Sequence, residues 1–237
     1  MNLHSSDFKE IASEALRGHR FGATLVMLVA MVFGVFSSSV IVLTALGLID
    51  ALIYQYFDGS VGPLIFLYIV TTVVLIFHFF FGGVVNLGYV DYNLALLDRR
   101  KAGVGQLFAY FGSWWKTILT RIYLFVVEGI GYLVFIIPGI YLSLNYSMVY
   151  YIIEEKPAFS VSKALRMSRR IMSGNRLRYF NLQLSFIPWY LLGFITCGIA
   201  FLYVVPYKRA AEAAFYNEIS ERADVYYGRK QSGHARY

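Results

Sequence analysis

The sequence predicts an all-α integral membrane protein, a bundle of six transmembrane helices arranged as three hairpins with both termini cytoplasmic. Each hairpin is expected to follow a short interfacial amphipathic helix on the cytoplasmic side. Three observations carry this expectation. The chain of 237 residues is 58% hydrophobic and only 15% charged, whereas soluble domains carry about 25% charged residues. The stretches 21–49, 60–90, 129–153 and 179–207 contain no Lys, Arg, Asp or Glu. Each meets the length of about 20 apolar residues that crosses a bilayer core of about 30 Å. Finally, all 21 Lys and Arg residues lie at the N-terminus, in 98–121, in 154–178 or from Lys208 onward.

The first 20 residues are polar, and the apolar run after them is about twice the length of a signal-peptide core. The first span is therefore expected to stay as an anchor. Run length alone allows four spans or six. Pro138-Gly139 interrupts one long run, and Gly193 with Gly198 interrupts another; each is a long kinked helix or a tight hairpin. The basic residues discriminate. Six helices at about 21–43, 62–90, 118–137, 140–156, 177–193 and 199–219 leave outer loops at 44–61, Pro138-Gly139 and 194–198, which hold no Lys or Arg. Four helices would put 154–178 outside with its dense set of cations, against the positive-inside rule. The arms of the second and third hairpins have only about 15 uncharged residues, or about 22 Å. Those arms are expected to recruit flanking polar residues, with Arg121, Lys208 and Arg209 snorkelling, or else the bilayer thins there.

Each hairpin follows an amphipathic segment that ends in glycine. The first places Phe8, Ile11, Ala12, Ala15 and Leu16 at helical spacing before Gly18. The second has Val104, Leu107, Phe108 and Phe111 before Gly112; the third starts after the N-cap candidate Ser160, with Val161, Ala164, Leu165, Ile171 and Met172 apolar, and ends at Gly174. These are expected helix-boundary residues, and the aromatic and basic residues that follow suit the membrane interface. Residues 1–222 read as one transmembrane domain and 223–237 as a flexible cytoplasmic tail.

The net charge of +7 and pI near 9.4 read as a basic cytoplasmic face that favours anionic lipid headgroups, not as a nucleic-acid surface. The single Cys197 forms no intrachain disulfide and reads as a small apolar filler. HExxH, GxSxG, P-loop and GxGxxG motifs are absent, as is any pair of carboxylates within one apolar span. No catalytic site, cofactor or metal is therefore assigned, and the chain reads as a non-enzyme.

Glu128 lies near the middle of the third span, where a charged side chain is costly and turns to a partner in the bundle interior. His78, at comparable depth, is the partner candidate; Asn86, Asn145 and Gln183 are further candidates for interhelical hydrogen bonds. These five residues form a candidate intramembrane polar site. Gly82, Gly83 and Gly88 read as points of close helix packing. Lys163, Arg166, Arg169, Arg170, Arg176 and Arg178 form a candidate surface for lipid headgroups or a partner.

From Ile137 onward the sequence resembles the bacterial membrane-protein family known as domain-of-unknown-function family 975. The resemblance rests on Ile137-Pro138-Gly139-Ile140, Tyr146-Ser147-Met148, Tyr151-Ile152, Ala164-Leu165, Ser168-Arg169, Met172 and Gly174-Asn175. It continues through Leu182-Gln183-Leu184-Ser185-Phe186, Trp189, Leu192-Gly193, Pro206-Tyr207 and Ala213-Ala214-Phe215-Tyr216. Ala15-Leu16-Arg17-Gly18, Gly82-Gly83 and Leu87-Gly88 fit the family's first half more loosely. His19 stands where the family commonly has Asn, and the long Tyr/Arg-rich tail also departs from its pattern. The resemblance implies a multi-pass membrane protein, found mainly in Gram-positive bacteria, and brings no catalytic residue with it.

The functional expectation is a scaffold, docking or accessory protein that acts at the cytoplasmic face on lipids, a membrane-protein partner or further copies of itself. The alternative is a small transporter or channel with a proton- or cation-linked path near Glu128 and His78.

Overall fold

The computed structural model describes residues 3–33, residues 61–234 and, between them, residues 47, 49, 52, 54 and 56 alone; side chains are described as far as residue 223, those of 61–64, 67 and 134 excepted. Among the described residues all regular structure is helical. The first outer loop, 44–61, and the end of the first span lie almost wholly outside them.

Helix α1 (Ser5–Ala15) begins where the His4 amide donates to Asp7 Oδ2 (2.8 Å). It buries Phe8, Ala12 and Leu16, spaced four residues apart. Gly18, at φ 81°, carries a left-handed conformation that a side chain would resist. The chain then turns by 101° into α2 (Arg20–Val32). Ala23, Val26, Met27 and Ala30 form the buried stripe of α2, while Phe21, Leu25, Leu28 and Met31 are exposed.

Helix α3 (Val61–Leu97) is 37 residues long and changes character along its length. Its first half exposes large apolar side chains; from Val84 to Leu96 it is buried. The close approach at Gly88 explains part of the change. A Cβ there would lie 2.6 Å from Leu107 Cα, so the chain after α3 can press directly onto the helix. That chain forms two 3₁₀ turns, Val104–Phe108 and Phe111–Ser113, where an amphipathic α-helix was expected. Gly103, Gly105 and Gly112 weaken an α-helix by about 1 kcal/mol each, and contact with Gly88 rewards the tight turn that buries Leu107.

Helix α4 (Trp114–Val134) and α5 (Ile136–Tyr146) form an antiparallel hairpin. The rings of Tyr123 and Tyr146 lie 5.9 Å apart, and Gly139 packs under Tyr132. The reversal falls at the extended residue Phe135, not at Pro138-Gly139. Pro138 sits in the first turn of α5, where its missing N–H removes no helical bond. Helix α6 (Val149–Glu155) continues α5 with a small break; the stretch Ile136–Glu155 is long and apolar enough to cross a membrane.

Helix α7 (Val161–Met172) starts after Ser160, as expected, and ends at Gly174, φ 88°. Helices α8 (Arg176–Leu184) and α9 (Ile187–Ile195) then run against α10 (Phe201–His234). Tyr179 with Phe215, Phe186 with Tyr207, and Phe194 with Phe201 mark the antiparallel register. Helix α10 continues through the tail segment 223–237 as far as His234. Its buried Ala210, Ala211, Ala213, Ala214 and Phe215 occupy the centre of a packed end shared by α1, α3, α6 and α8. Away from that end the helices splay their apolar side chains outward.

Among the described residues two helical stretches, Tyr68–Leu97 and Ile136–Glu155, are long and apolar enough to cross a membrane, and the bent pair α1–α2 makes up to three.

Candidate functional site

The packed end holds charges that an apolar core does not tolerate singly. Glu212 on α10 is 4% exposed. Its carboxylate accepts from Gln183 Nε2 on α8 (2.8 Å) and Arg209 Nη1 (3.1 Å), and Lys208 Nζ lies at 3.6 Å. Arg209 is also within electrostatic reach of Tyr89, Tyr151 and Tyr179, so α3, α6, α8 and α10 all meet at this pair. A buried charge is retained where partners compensate its lost hydration. Arg209 and Lys208 thus face Glu212. Of the five expected polar residues, Gln183 alone enters this cluster.

Glu128 lies on the inward face of α4 beside Tyr150 of α6, and Arg121, two turns earlier, faces the same phenol. The Asn86 amide reaches Tyr150 from α3. His78 goes elsewhere: its Nε2–H donates to Val32 O (2.8 Å) at the end of α2. Among the described residues no hydrogen bond or ion pair joins His78 to Glu128. The five candidates therefore divide among separate places in the bundle.

Asn145, 2% exposed, forms a third station. Its side chain donates to Tyr141 O and accepts from Arg176 Nε (2.6 Å), while its carbonyl accepts from Ser168 Oγ (2.7 Å). The expected six-cation surface splits at this point. Helix α7 buries Ala164, Leu165, Ser168, Ile171 and Met172 and exposes Lys163, Arg166, Arg169 and Arg170. Arg176 and Arg178 are half-buried and engaged. Arg178 donates to Glu218 Oε2 (2.6 Å), Leu3 O (2.9 Å) and Asn175 Oδ1 (2.9 Å), and lies over the rings of Phe8 and Phe215. It clasps α1 and α8 to α10, and Arg222 closes on the same Glu218.

At the rim, Tyr110 donates to Glu154 Oε1 (3.4 Å) and reaches Asp91, which Arg100 approaches at 3.9 Å. Burial and these two carboxylates push the Tyr110 phenol up. Among the described residues no group of three or more His, Cys, Asp or Glu is placed to hold a metal ion.

Most of these contacts involve the second half of the chain. Residues 124–223 match the family described as protein of unknown function (DUF975). The DUF975 region begins within α4, takes in Glu128, Asn145, Arg176, Gln183 and Glu212, and leaves His78 and Asn86 outside. No curated protein and no solved structure matches the chain. Sequence reading overlooked Glu212, although its spacing from Arg209 within an alanine-rich segment was a usable signal. Three residues apart puts them on one helical face, and a face of alanines is one that neighbours can approach closely.

Proposed function

We propose that this chain is a six-span protein of a bacterial cytoplasmic membrane, both termini inside, that scaffolds or docks lipids or a membrane partner through its basic cytoplasmic face. The observation that carries this reading is a belt of exposed apolar side chains. On α3, Ile65, Phe66, Tyr68, Ile69, Val73 and Ile76 are each more than half exposed; Phe125 and Leu133 on α4 and Phe194 and Ile195 on α9 are 73–88% exposed. Residues 60–90 and 179–207 carry no formal charge. In water so broad an apolar surface drives association, and in hydrocarbon it is the solvated face. The 101° elbow between α1 and α2 suits a helix at the interface followed by one that crosses it. The exposed cations of α7 supply the docking face.

Cys197, exposed beside Gly198 in the α9–α10 reversal, tests the topology. In intact cells a membrane-impermeant maleimide is expected to label Cys197 from outside. In the double variant Cys197→Ser/Ser173→Cys it should label only after permeabilisation. Label on position 173 from outside would favour four spans over six. The transporter reading draws on Glu128, Arg121 and Tyr150 meeting within the apolar helices. Proton or cation flux in proteoliposomes that Glu128→Gln abolishes, with helicity retained, would favour it over the scaffold.

A further inference from the structure

A cavity of roughly 550 Å³ lies between α5 and α8, within the range of about 300–1,000 Å³ typical of ligand sites. One wall is a stripe on α5, Ile137, Ile140, Tyr141 and Leu144, spaced i, i+3, i+4 and i+7. Leu177 and Phe180 form the opposite wall on α8. From Ile137 to Leu144 the stripe runs about 10 Å along the helix axis. It is open to the surroundings, since Ile137 is 80% and Leu177 75% exposed.

Arg176 is the charged residue of this cavity, at the end nearest Asn145. Its Nε is fixed to Asn145 Oδ1, and its guanidinium lies 4.7 Å from the centre of the Tyr141 ring. Asn145 is itself held through Tyr141 O and Ser168 Oγ. The cation is thus oriented before any ligand arrives, and Nη1 and Nη2 have no partner among the described residues. Two adjacent N–H groups of a guanidinium match the geometry of two phosphate oxygens. None of the residues lining the cavity is acidic.

We infer that this groove is a binding site for one anionic glycerophospholipid, its phosphodiester on Arg176 and an acyl chain along the α5 stripe. The inference rests on the membrane reading above, under which the exposed apolar stripe of α5 faces hydrocarbon. The apolar walls and the single prepared cation require both halves of a phospholipid. A free phosphate leaves the stripe exposed, and a neutral or zwitterionic lipid leaves Arg176 with no net opposite charge.

The test uses the full chain, delipidated in detergent and mixed with equal amounts of phosphatidylglycerol and phosphatidylcholine of the same acyl composition. Native mass spectrometry then counts the lipid retained. The first bound lipid is expected to be phosphatidylglycerol by about tenfold, equivalent to about 1.4 kcal/mol. Arg176→Gln should remove that preference. Ile140→Trp fills the groove without touching the cation and should remove the bound lipid itself, which keeps the test decisive if Arg176→Gln fails to fold. Arg166→Gln, on the exposed face of α7, should change neither. Equal retention of the two lipids by the wild type, an unchanged preference in folded Arg176→Gln, or lipid still held by Ile140→Trp would overturn the inference. So would displacement of the lipid by glycerol phosphate, which would mark a free phosphate site. This measurement is independent of topology. External labelling of Cys197 without selective lipid retention would sink the lipid site alone; loss of that labelling would sink the six-span reading.

Discussion

Glu212→Gln removes the carboxylate that Arg209 faces at 3.1 Å and Lys208 at 3.6 Å while keeping the volume of the side chain. Arg209, its side chain 27% exposed, then stays beside Tyr89, Tyr151 and Tyr179 with no anion next to it. Taking one partner from a buried ion pair costs about 3–5 kcal/mol. Two features favour the lower end: the glutamine oxygen still accepts from Gln183, and the Lys208 and Arg209 side chains, 24% and 27% exposed, can turn towards water. A loss of about 3 kcal/mol in a chain of this length lowers the melting temperature by about 6–12 °C. The assay is thermal unfolding followed by circular dichroism in detergent. Glu212→Gln/Arg209→Gln removes the stranded cation as well, and should be at least about 1 kcal/mol more stable than the sum of the single changes. If Glu212→Gln melts within about 2 °C of the wild type, or the double variant is additive, the pair does not hold this end of the bundle together.

Gly88→Ala places a methyl against the backbone of Leu107 and is expected to cost about 1–3 kcal/mol. Gly103→Ala, with open space around it, should stay within about 0.5 kcal/mol of the wild type; equal losses at the two sites would refute the packing argument. Arg178→Gln releases the clasp on Leu3 and Glu218, so amide exchange across residues 5–15 should quicken by about tenfold while the middle of α10 is unchanged. Unaltered exchange in α1 would show that its apolar stripe alone holds it. The His4 amide holds the Asp7 carboxyl below its usual range. A group depressed in the folded state lends stability above its unfolded value and loses it as pH falls through the folded one. Protection of the first turn of α1 should therefore fall as the pH drops below about 4; constant protection would rule the cap out.

Local pattern made much of this fold legible. The uncharged runs coincide with helical stretches of α2, α3, α5–α6 and α8–α9, because apolar length is a property of consecutive residues. Gly18 and Gly174 ended α1 and α7 as expected, because a left-handed residue is a local requirement. The spacing of Ala164, Leu165, Ile171 and Met172 foretold the buried face of α7 for the same reason. The second amphipathic segment was less legible. Its apolar spacing suited an α-helix, and its 3₁₀ form depends on Gly88, fifteen or more residues earlier in the chain.

The polar sites were the least legible, since they depend on which helices become neighbours. Depth along a span suggested His78 as the partner of Glu128, but rotation about each helix axis turns one towards Val32 and the other towards Tyr150. Arg176 and Arg178 share the basic composition of α7, yet they lie past Gly174, where the chain turns inward to Asn145 and Glu218. The sequence by itself determined an all-helical chain with membrane-length apolar stretches and cations confined to certain segments, because hydropathy and charge need no knowledge of neighbours. Only the tertiary structure decided that Glu212 and Arg209 share a core with three tyrosines and that Arg176 heads an apolar groove. Those facts arise from the packing of helices distant in sequence, where a small axial rotation decides whether a side chain meets a partner or the solvent.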